Sequence, residues 1–441
     1  MGNRFKPEDV VNEHRATAVL VGVDVGNSGW PVEESLAELE RLVHTAGADV
    51  VATATQRMEK PNPRTFIGKG KAGEIADLAV ELSADLVVFD DDLSPRQQAN
   101  VEDLIANVRV LDRTALILEI FAMHAVSREG KLQVELAQLE YLLPRLRGLW
   151  GHLERERLGG GRGARFGAGE SQLETDRRLA RRRIADLKRE LKTVRASREL
   201  QRKARADSGV YKVALVGYTN AGKSTLLNAM TDSDVLVQDM LFATLDSTTR
   251  RFSLQEGREV TLTDTVGFIN KLPHGLVEAF KSTLDEVREA DLLLHVADAS
   301  HQQLDSQSVA VHEVLSEIDA AVTPKVLVLN QIDRLSDADA AAVRRRHPDA
   351  VFISAKTGAG LDELMDRISR EAARGSVTLT VLIPYTRGEM VQLAHERTQV
   401  VSEHHTGEGT QLVLQVPRDL VDRFSVFSME PEAEAPDTEN S

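Results

Sequence analysis

Gly217, Tyr218, Thr219, Asn220, Ala221, Gly222, Lys223 and Ser224 follow the order G-x-x-x-x-G-K-[ST]. The spacing suits phosphate chemistry. The glycines let backbone N–H groups turn inward around phosphate oxygens, Lys223 brings positive charge to the outer phosphates, and the Ser224 hydroxyl can ligate Mg2+. The apolar run KVALV lies before these residues and the helix-like STLLNAM opens at their end. That strand–loop–helix setting is what the pattern requires.

Three further segments are each expected at the C-terminal edge of a strand, where open α/β sheets bind ligands. Asp264, Thr265, Val266 and Gly267 come at the end of EVTLTD. There the Asp264 carboxylate can hold Mg2+ through water, and the Gly267 amide can meet a γ-phosphate. Asn330, Gln331, Ile332 and Asp333 come at the end of KVLVLN. A carboxylate at Asp333 can accept from both N1–H and the 2-amino group of guanine. Adenine offers neither donor, so Asp333 selects GTP over ATP. Ser354, Ala355 and Lys356 end the run VFIS and can present backbone amides to the guanine carbonyl.

Phe242, Ala243, Thr244, Leu245 and Asp246 lie between the phosphate loop and Asp264, the place for a nucleotide-sensing switch. Thr244 is the candidate for the second hydroxyl ligand of Mg2+, with Thr248 and Thr249 as alternatives. Lys223, Thr244 and Gly267 form the expected catalytic set, with Ser224 and Thr244 as direct metal ligands. Phe268 stands where Ras-like enzymes carry a glutamine that orients the attacking water. A phenyl ring cannot do this. Intrinsic hydrolysis should be slow, and an outside element should accelerate it.

The elements that position these residues come next. The chain has 441 residues, 42% hydrophobic and 28% charged, which predicts two to four globular domains. It has no cysteine, which excludes disulfides, thiolate zinc sites, Fe–S clusters and cysteine nucleophiles. The twelve histidines show no paired metal spacing. No apolar run approaches the ~18 residues of a membrane span. No secretory signal is visible, so a cytoplasmic protein is expected.

Strand and helix patterns alternate over 16–126, with strands at 16–24, 48–54, 85–90 and 108–111. They predict a parallel sheet with helices on its faces. Leu132, Leu136, Leu139, Leu143, Leu146, Trp150 and Leu153 are spaced four and three apart, as are Ala180, Ile184, Leu187, Leu191 and Val194. These are two heptad seams, and with the glycines at 159–161 between them they predict an antiparallel helical hairpin. Pro144 should kink the first helix. Ser171 and Glu174 form a capping-box pattern at the start of the second. Strands are expected at 211–216, 251–255, 259–264, 291–297, 324–330 and 349–354. A small α+β unit follows at 376–428, then an acidic tail at 429–441. The predicted division is 1–126, 127–207, 208–375, 376–428 and 429–441.

The net charge is −15, yet residues 145–206 hold 19 basic and 8 acidic residues. That asymmetry points to a polyanion-facing arm on an acidic body. The alternative is a solvated helical surface.

The chain resembles the HflX-type GTPases, a translation-factor-related class of P-loop GTPases, over about 1–428. GYTNAGKST, FATLDSTTRR, LTDTVGFINKLPH, GESQLETDRR, RTFIGKGKAGEI and QVELAQLEYLLPRL carry the resemblance. It implies an N-terminal α/β domain with a long helical hairpin, followed by a Ras-like G domain. It implies Mg2+-dependent hydrolysis of GTP to GDP, linked to the large (50S) ribosomal subunit and to dissociation of stalled or stressed ribosomes. Arg162 and Arg165 at the tip would lead the RNA contacts, supported by Arg177, Arg178, Arg181, Arg182 and Arg183, and a monomer is expected. Two positions depart from the family pattern. Gln331 replaces the usual lysine of the base-reading segment, and Ala168 stands where many relatives have proline. Gly68, Gly70 and Gly73 match G-x-G-x-x-G. They are read as a structural or RNA-contacting loop, with a second nucleotide site and an ATP-driven RNA remodeler as the alternative. A further alternative is a GTP-gated regulator that docks a protein partner through the hairpin.

Overall fold

The computed structural model describes residues 15–26, 30–105, 108–146, 168–206, 210–231, 240–242, 244–254, 258–273, 284–374, 376–417 and 420–429. Strands β1 (Ala16–Asp24), β2 (Ala48–Arg57), β3 (Leu86–Phe89) and β4 (Arg109–Asp112) form a parallel sheet in the order β2-β1-β3-β4. Helices α1 (Val32–Thr45), α2 (Lys69–Glu81), α3 (Pro95–Leu104) and α4 (Arg113–His124) cover it. The side chains of β1 divide with a period of two. Ala18 and Leu20 pack with α1 and α4, while Val19, Val21 and Val23 pack with α2 and α3. Ser94 and Gln97 form a capping box at α3, with Pro95 in its first turn. The G-x-G-x-x-G segment is not the expected loop. Gly68 is the N-cap of α2, and Gly70 and Gly73 lie within that helix.

Helices α5 (Arg128–Leu142) and α6 (Ala168–Ala206) pack as a pair. Leu132, Leu136, Leu187 and Leu191 form its buried centre, flanked by Leu139, Ile184 and Val194, so the two heptad seams do meet. Leu143 and Leu146 of the first seam lie outside this cluster. Helix α5 ends at Leu142, and a 3-10 turn containing Pro144 follows. Arg145 then folds back on the sheet, donating to the Leu93 carbonyl at 2.6 Å and to Asp112 at 3.3 Å. Helix α6 begins at Ala168, so Ser171 and Glu174 lie inside it and not at its cap. Trp150, Leu153, the glycines at 159–161, Arg162, Arg165 and residues 430–441 lie outside the described residues.

The second sheet contains β5 (Tyr211–Val216), β6 (Thr248–Ser253), β7 (Glu259–Asp264), β8 (Leu292–Asp298), β9 (Lys325–Asn330) and β10 (Val351–Phe352). Its order is β10-β9-β8-β5-β7-β6, parallel except for β6. Helices α7 (Lys223–Thr231), α8 (Asp285–Arg288), α9 (Leu304–Glu317), α10 (Asp337–Arg346) and α11 (Leu361–Arg374) belong to this unit. Strand β6 begins three residues earlier than the pattern suggested, and β10 is only two residues long. Last come β11 (Ser376–Pro384), α12 (Gly388–Arg397), β12 (Gln399–His405), β13 (Gly409–Pro417) and α13 (Val421–Ser425). The strands form an antiparallel sheet in the order β11-β13-β12. Among the described residues, no helix is long and apolar enough to cross a membrane.

The two α/β units meet around a buried ion group. Arg113, at the start of α4, pairs with Glu38 and with Asp90, the latter at 2.6 Å. Glu38 also accepts from the Tyr218 hydroxyl. Asp90 accepts from Ser35 at 2.7 Å and from Lys271 at 2.5 Å, and Lys271 reaches Asp91 at 2.6 Å. Burial pushes the Glu38 carboxyl up against the opposing pull of Arg113. Burial acts the same way on Asp90, but Arg113 and Lys271 prevail and hold it below the usual carboxylate range. Apolar contacts surround the group. Phe121 meets Phe242 edge-on at 4.7 Å, and Trp30 stacks on Tyr218 at 6.1 Å.

Arg113→Ala leaves the buried Glu38 carboxylate without its cation and Asp90 with Lys271 alone. It should lower stability by about 3–5 kcal/mol, measured as the shift in the urea unfolding midpoint. His295 on β8 sets an acid limit. Burial, with His312 and Lys223 nearby, drives its pKa down to about 3. The unfolded chain takes up that proton near 6.5 and the folded chain does not, so stability falls as pH drops below about 6.5. Urea titrations at pH 7 and pH 5 should show His295→Asn escaping about 2 kcal/mol of the wild-type loss.

Candidate active site

The phosphate loop links β5 to α7 at the C-terminal edge of the central strand. Its backbone requires glycine at two places. A Cβ on Gly217, at φ +149°, would lie 2.0 Å from the Val296 carbonyl oxygen. One on Gly222, at φ +89°, would lie 2.3 Å from the Asn330 amide nitrogen. Opposite the loop, a Cβ on Gly267 would meet Thr219 at 2.7 Å and the Lys223 ammonium at 3.0 Å. Backbone bonds hold the two segments together. Thr219 N–H donates to Phe268 O at 2.7 Å, and Phe268 N–H to Gly217 O at 3.0 Å.

These segments line an open cleft. Thr219, Asn220, Gly222, Lys223, Ser224, Phe242, Thr244, Thr265 and Gly267 line it, joined by Thr225 and Met240, which the sequence pattern did not single out. Lys223 is buried and donates to the carbonyls of Gly217 at 3.2 Å and Tyr218 at 2.8 Å. Burial lowers its pKa to about 8, against the opposing pull of Asp264.

Three oxygen donors converge beside it. Ser224 Oγ lies 2.6 Å from Asp264 Oδ2 and 2.9 Å from Thr244 Oγ1, and Thr244 Oγ1 lies 3.1 Å from the same carboxylate oxygen. The other oxygen, Asp264 Oδ1, is buried with no hydrogen-bond partner among the described residues. Two hydroxyls and a carboxylate are hard donors of the kind Mg2+ takes, and they fit that ion. The alternative threonines stand elsewhere. Thr248 and Thr249 are on β6, and Thr249 bonds Thr263 across the strands at 2.9 Å.

Several expected contact residues turn away from the cleft. The Tyr218 hydroxyl faces Glu38, and Leu245 and Val266 pack into the seam with the first sheet. Asp246 is bonded to Ser127. Ala221 and Ile332 pack on core residues of the second unit, and Ala243 lies outside the described residues. The Phe268 ring is buried beside Leu284, Val287 and Leu293, so it presents no polar group for orienting water.

The segments at Asn330–Asp333 and Ser354–Lys356 are braced to the loop. Asn330 donates to Ala221 O and accepts from Ala355 N–H, both at 2.9 Å. Gln331 occupies the left-handed region at φ +64° and donates to Asn220 O at 3.1 Å. Asp333 is exposed, and the Ser354 hydroxyl, 2.6 Å away, holds its carboxyl below the usual range. Lys356 is exposed nearby. Tyr218 as a link between units was not legible, because its position in the motif accepts many residue types.

This fold and phosphate loop define a P-loop GTPase. The 50S ribosome-binding GTPase model matches residues 212–331, the GTP-binding GTPase N-terminal model 33–122 and the GTP-binding GTPase middle-region model 124–205. GTPase HflX of Caldanaerobacter subterraneus subsp. tengcongensis is 47% identical over 395 residues, 90% of either chain. GTPase HflX of Escherichia coli K12 is 45% identical over 404 residues, 90% of this chain and 93% of its own. A solved GTP-binding protein from Sulfolobus solfataricus in complex with GDP is 26% identical. That likeness covers 81% of this chain and 99% of that one, with a TM-score of 0.43. The chain belongs to the HflX GTPase family and is a GTP hydrolase.

If Asp333 is the charged acceptor for guanine, Asp333→Asn removes it. GTP affinity should fall roughly tenfold to over a hundredfold, equivalent to about 1.5–3 kcal/mol. Xanthosine triphosphate, which offers a carbonyl to the new amide, should become the better ligand in calorimetric titration.

Proposed function

We propose that this chain is a Mg2+-dependent GTPase that works in the cytoplasm as a monomer. It binds the large ribosomal subunit through its basic arm and dissociates stalled or stressed ribosomes. One observation carries this reading: the arm is rooted on the switch residues. Val134 and Ala137 of α5 share a buried cluster with Phe242, Leu245 and Val266. Nucleotide state at the cleft and the position of the arm therefore bear on one another.

Lys223 neutralises the outer phosphates, the Gly267 amide meets the γ-phosphate, and Asp333 with Ser354, Ala355 and Lys356 reads guanine. Ser224 and Thr244 would hold Mg2+ directly and Asp264 through water. When bound, the ion neutralises charge on the β- and γ-phosphates. Phe268 offers no alignment of water, so the ribosome would supply what this position lacks.

The arm's chemistry favours RNA over a helical protein partner. Leu132, Leu136, Leu187 and Leu191 of its seams are buried against each other. Arg183 pairs with Glu135 at 2.8 Å, and Lys188 with Glu140 at 2.8 Å. Arg178 and Arg182 are exposed and have no ion pair among the described residues, which leaves them for phosphates.

The test is GTP hydrolysis with and without purified large subunits. Stimulation is expected for the wild type and should be reduced when Arg162 and Arg165 are both alanine, with basal hydrolysis unchanged. The same pair should reduce the log–log salt slope of subunit binding by about two units. Equal sedimentation of mutant and wild type at every salt concentration would overturn the RNA-binding arm.

A further inference from the structure

The switch and the root of the arm share one carboxylate. Asp246 lies two residues beyond Thr244, and its side chain turns to the segment that joins α4 to α5. Its Oδ2 accepts from the backbone N–H of Val126 at 3.0 Å and of Ser127 at 2.7 Å. Its Oδ1 takes the Ser127 hydroxyl. Ser127 is the N-cap of α5, and its Oγ accepts from Gly130 N–H at 2.9 Å. The approach leaves no room for a side chain unless the carboxylate shifts. A Cβ on Gly130 would lie 2.6 Å from Asp246 Oδ1.

We propose that Asp246 is a positioning residue: it holds Thr244 in place by tying the switch to the first turn of the arm. The order of Thr244 and the seating of α5 then form a single equilibrium. Three donors converge on one carboxylate, and hydrogen bonds to a carboxylate are the strong form. Two residues of chain span at most ~7 Å, so Thr244 cannot move far without disturbing Asp246. Leu245 between them is buried in the seam with the first sheet, which leaves little slack. In GTPases the γ-phosphate and its metal order the switch. By reciprocity, what orders Thr244 seats α5, and what displaces α5 weakens the hold on the γ-phosphate.

The inference rests on reading Thr244 as a γ-phosphate-dependent metal ligand. Its test uses the full chain and two variants remote from the nucleotide. Gly130→Ala keeps the Asp246 charge and favours the helix, yet pushes the carboxylate off its seat. Ser127→Ala removes only the hydroxyl bond and should act in the same direction, more weakly. Affinities for a non-hydrolysable GTP analogue and for GDP are measured by calorimetry with Mg2+, alongside melting temperature. Gly130→Ala should lower analogue affinity about tenfold, the size expected for loss of a charged hydrogen bond, and leave GDP affinity within about twofold. Combined with Thr244→Ala, it should add no further loss. A cap that serves only the fold would lower both affinities together, or neither, or add fully to Thr244→Ala, and each of these results overturns the proposal. Thr244→Ala alone tests the underlying reading: an unchanged analogue affinity there overturns that reading and the inference with it.

Discussion

Arg113 has no contact with water, and a guanidinium cannot shed its charge, so the surrounding structure must answer it. Glu38 and Asp90 do so from α1 and from the end of β3. Each then hands the constraint on. Glu38 takes the hydroxyl of Tyr218, inside the phosphate loop, whose oxygen also accepts from Asn270 N–H at 2.5 Å. Asp90 takes the ammonium of Lys271, beyond Gly267. The phosphate loop and the segment after Gly267 are thus both fixed from a neighbouring unit. Paired carboxylates and a cation of this kind add little net stability compared with an apolar seam. What they add here is a fixed placement of one unit on the other.

Within that frame the cleft is governed by what cannot fit. Gly222 and Gly267 leave room for nothing larger than hydrogen, because the space belongs to Asn330, Thr219 and Lys223. The backbone is thereby brought close enough to wrap a phosphate. Ser224, Thr244 and Asp264 come from a helix, a switch and a strand end, yet their oxygens meet within 3.1 Å. The Thr244 segment reaches them only because Leu241, Phe242 and Leu245 are held in the seam with the first sheet.

The sequence made the layered elements legible where burial has a simple period. The continuous apolar run of β1 is one such case, and Leu132, Leu136 and Leu139 against Ile184, Leu187, Leu191 and Val194 are another. It was less informative where two demands compete. Ser171 and Glu174 match a capping box yet lie within α6, and the polar, half-exposed β12 has no apolar alternation to announce it. At the candidate site, the residue types at Gly217–Ser224 and Asp264–Gly267 carry chemistry of their own, so their spacing could be read. Tyr218, Asp246 and Lys271 could not be read this way. Their partners lie more than a hundred residues away, and a contact of that kind leaves no periodic trace.

Asn330 carries a liability of a different kind. Its one side chain ties three loops together, donating to Ala221 O and accepting from Ala355 N–H. Both roles need the amide. Spontaneous deamidation, the common ageing reaction of asparagine, would turn it into an aspartate with no hydrogen to give. A negative charge would then face the Ala221 carbonyl and sit directly behind Gly222. The lesion would leave the phosphate loop and Asp333 intact in composition while unfastening one from the other. An old molecule could therefore lose nucleotide binding with no residue of its phosphate loop altered.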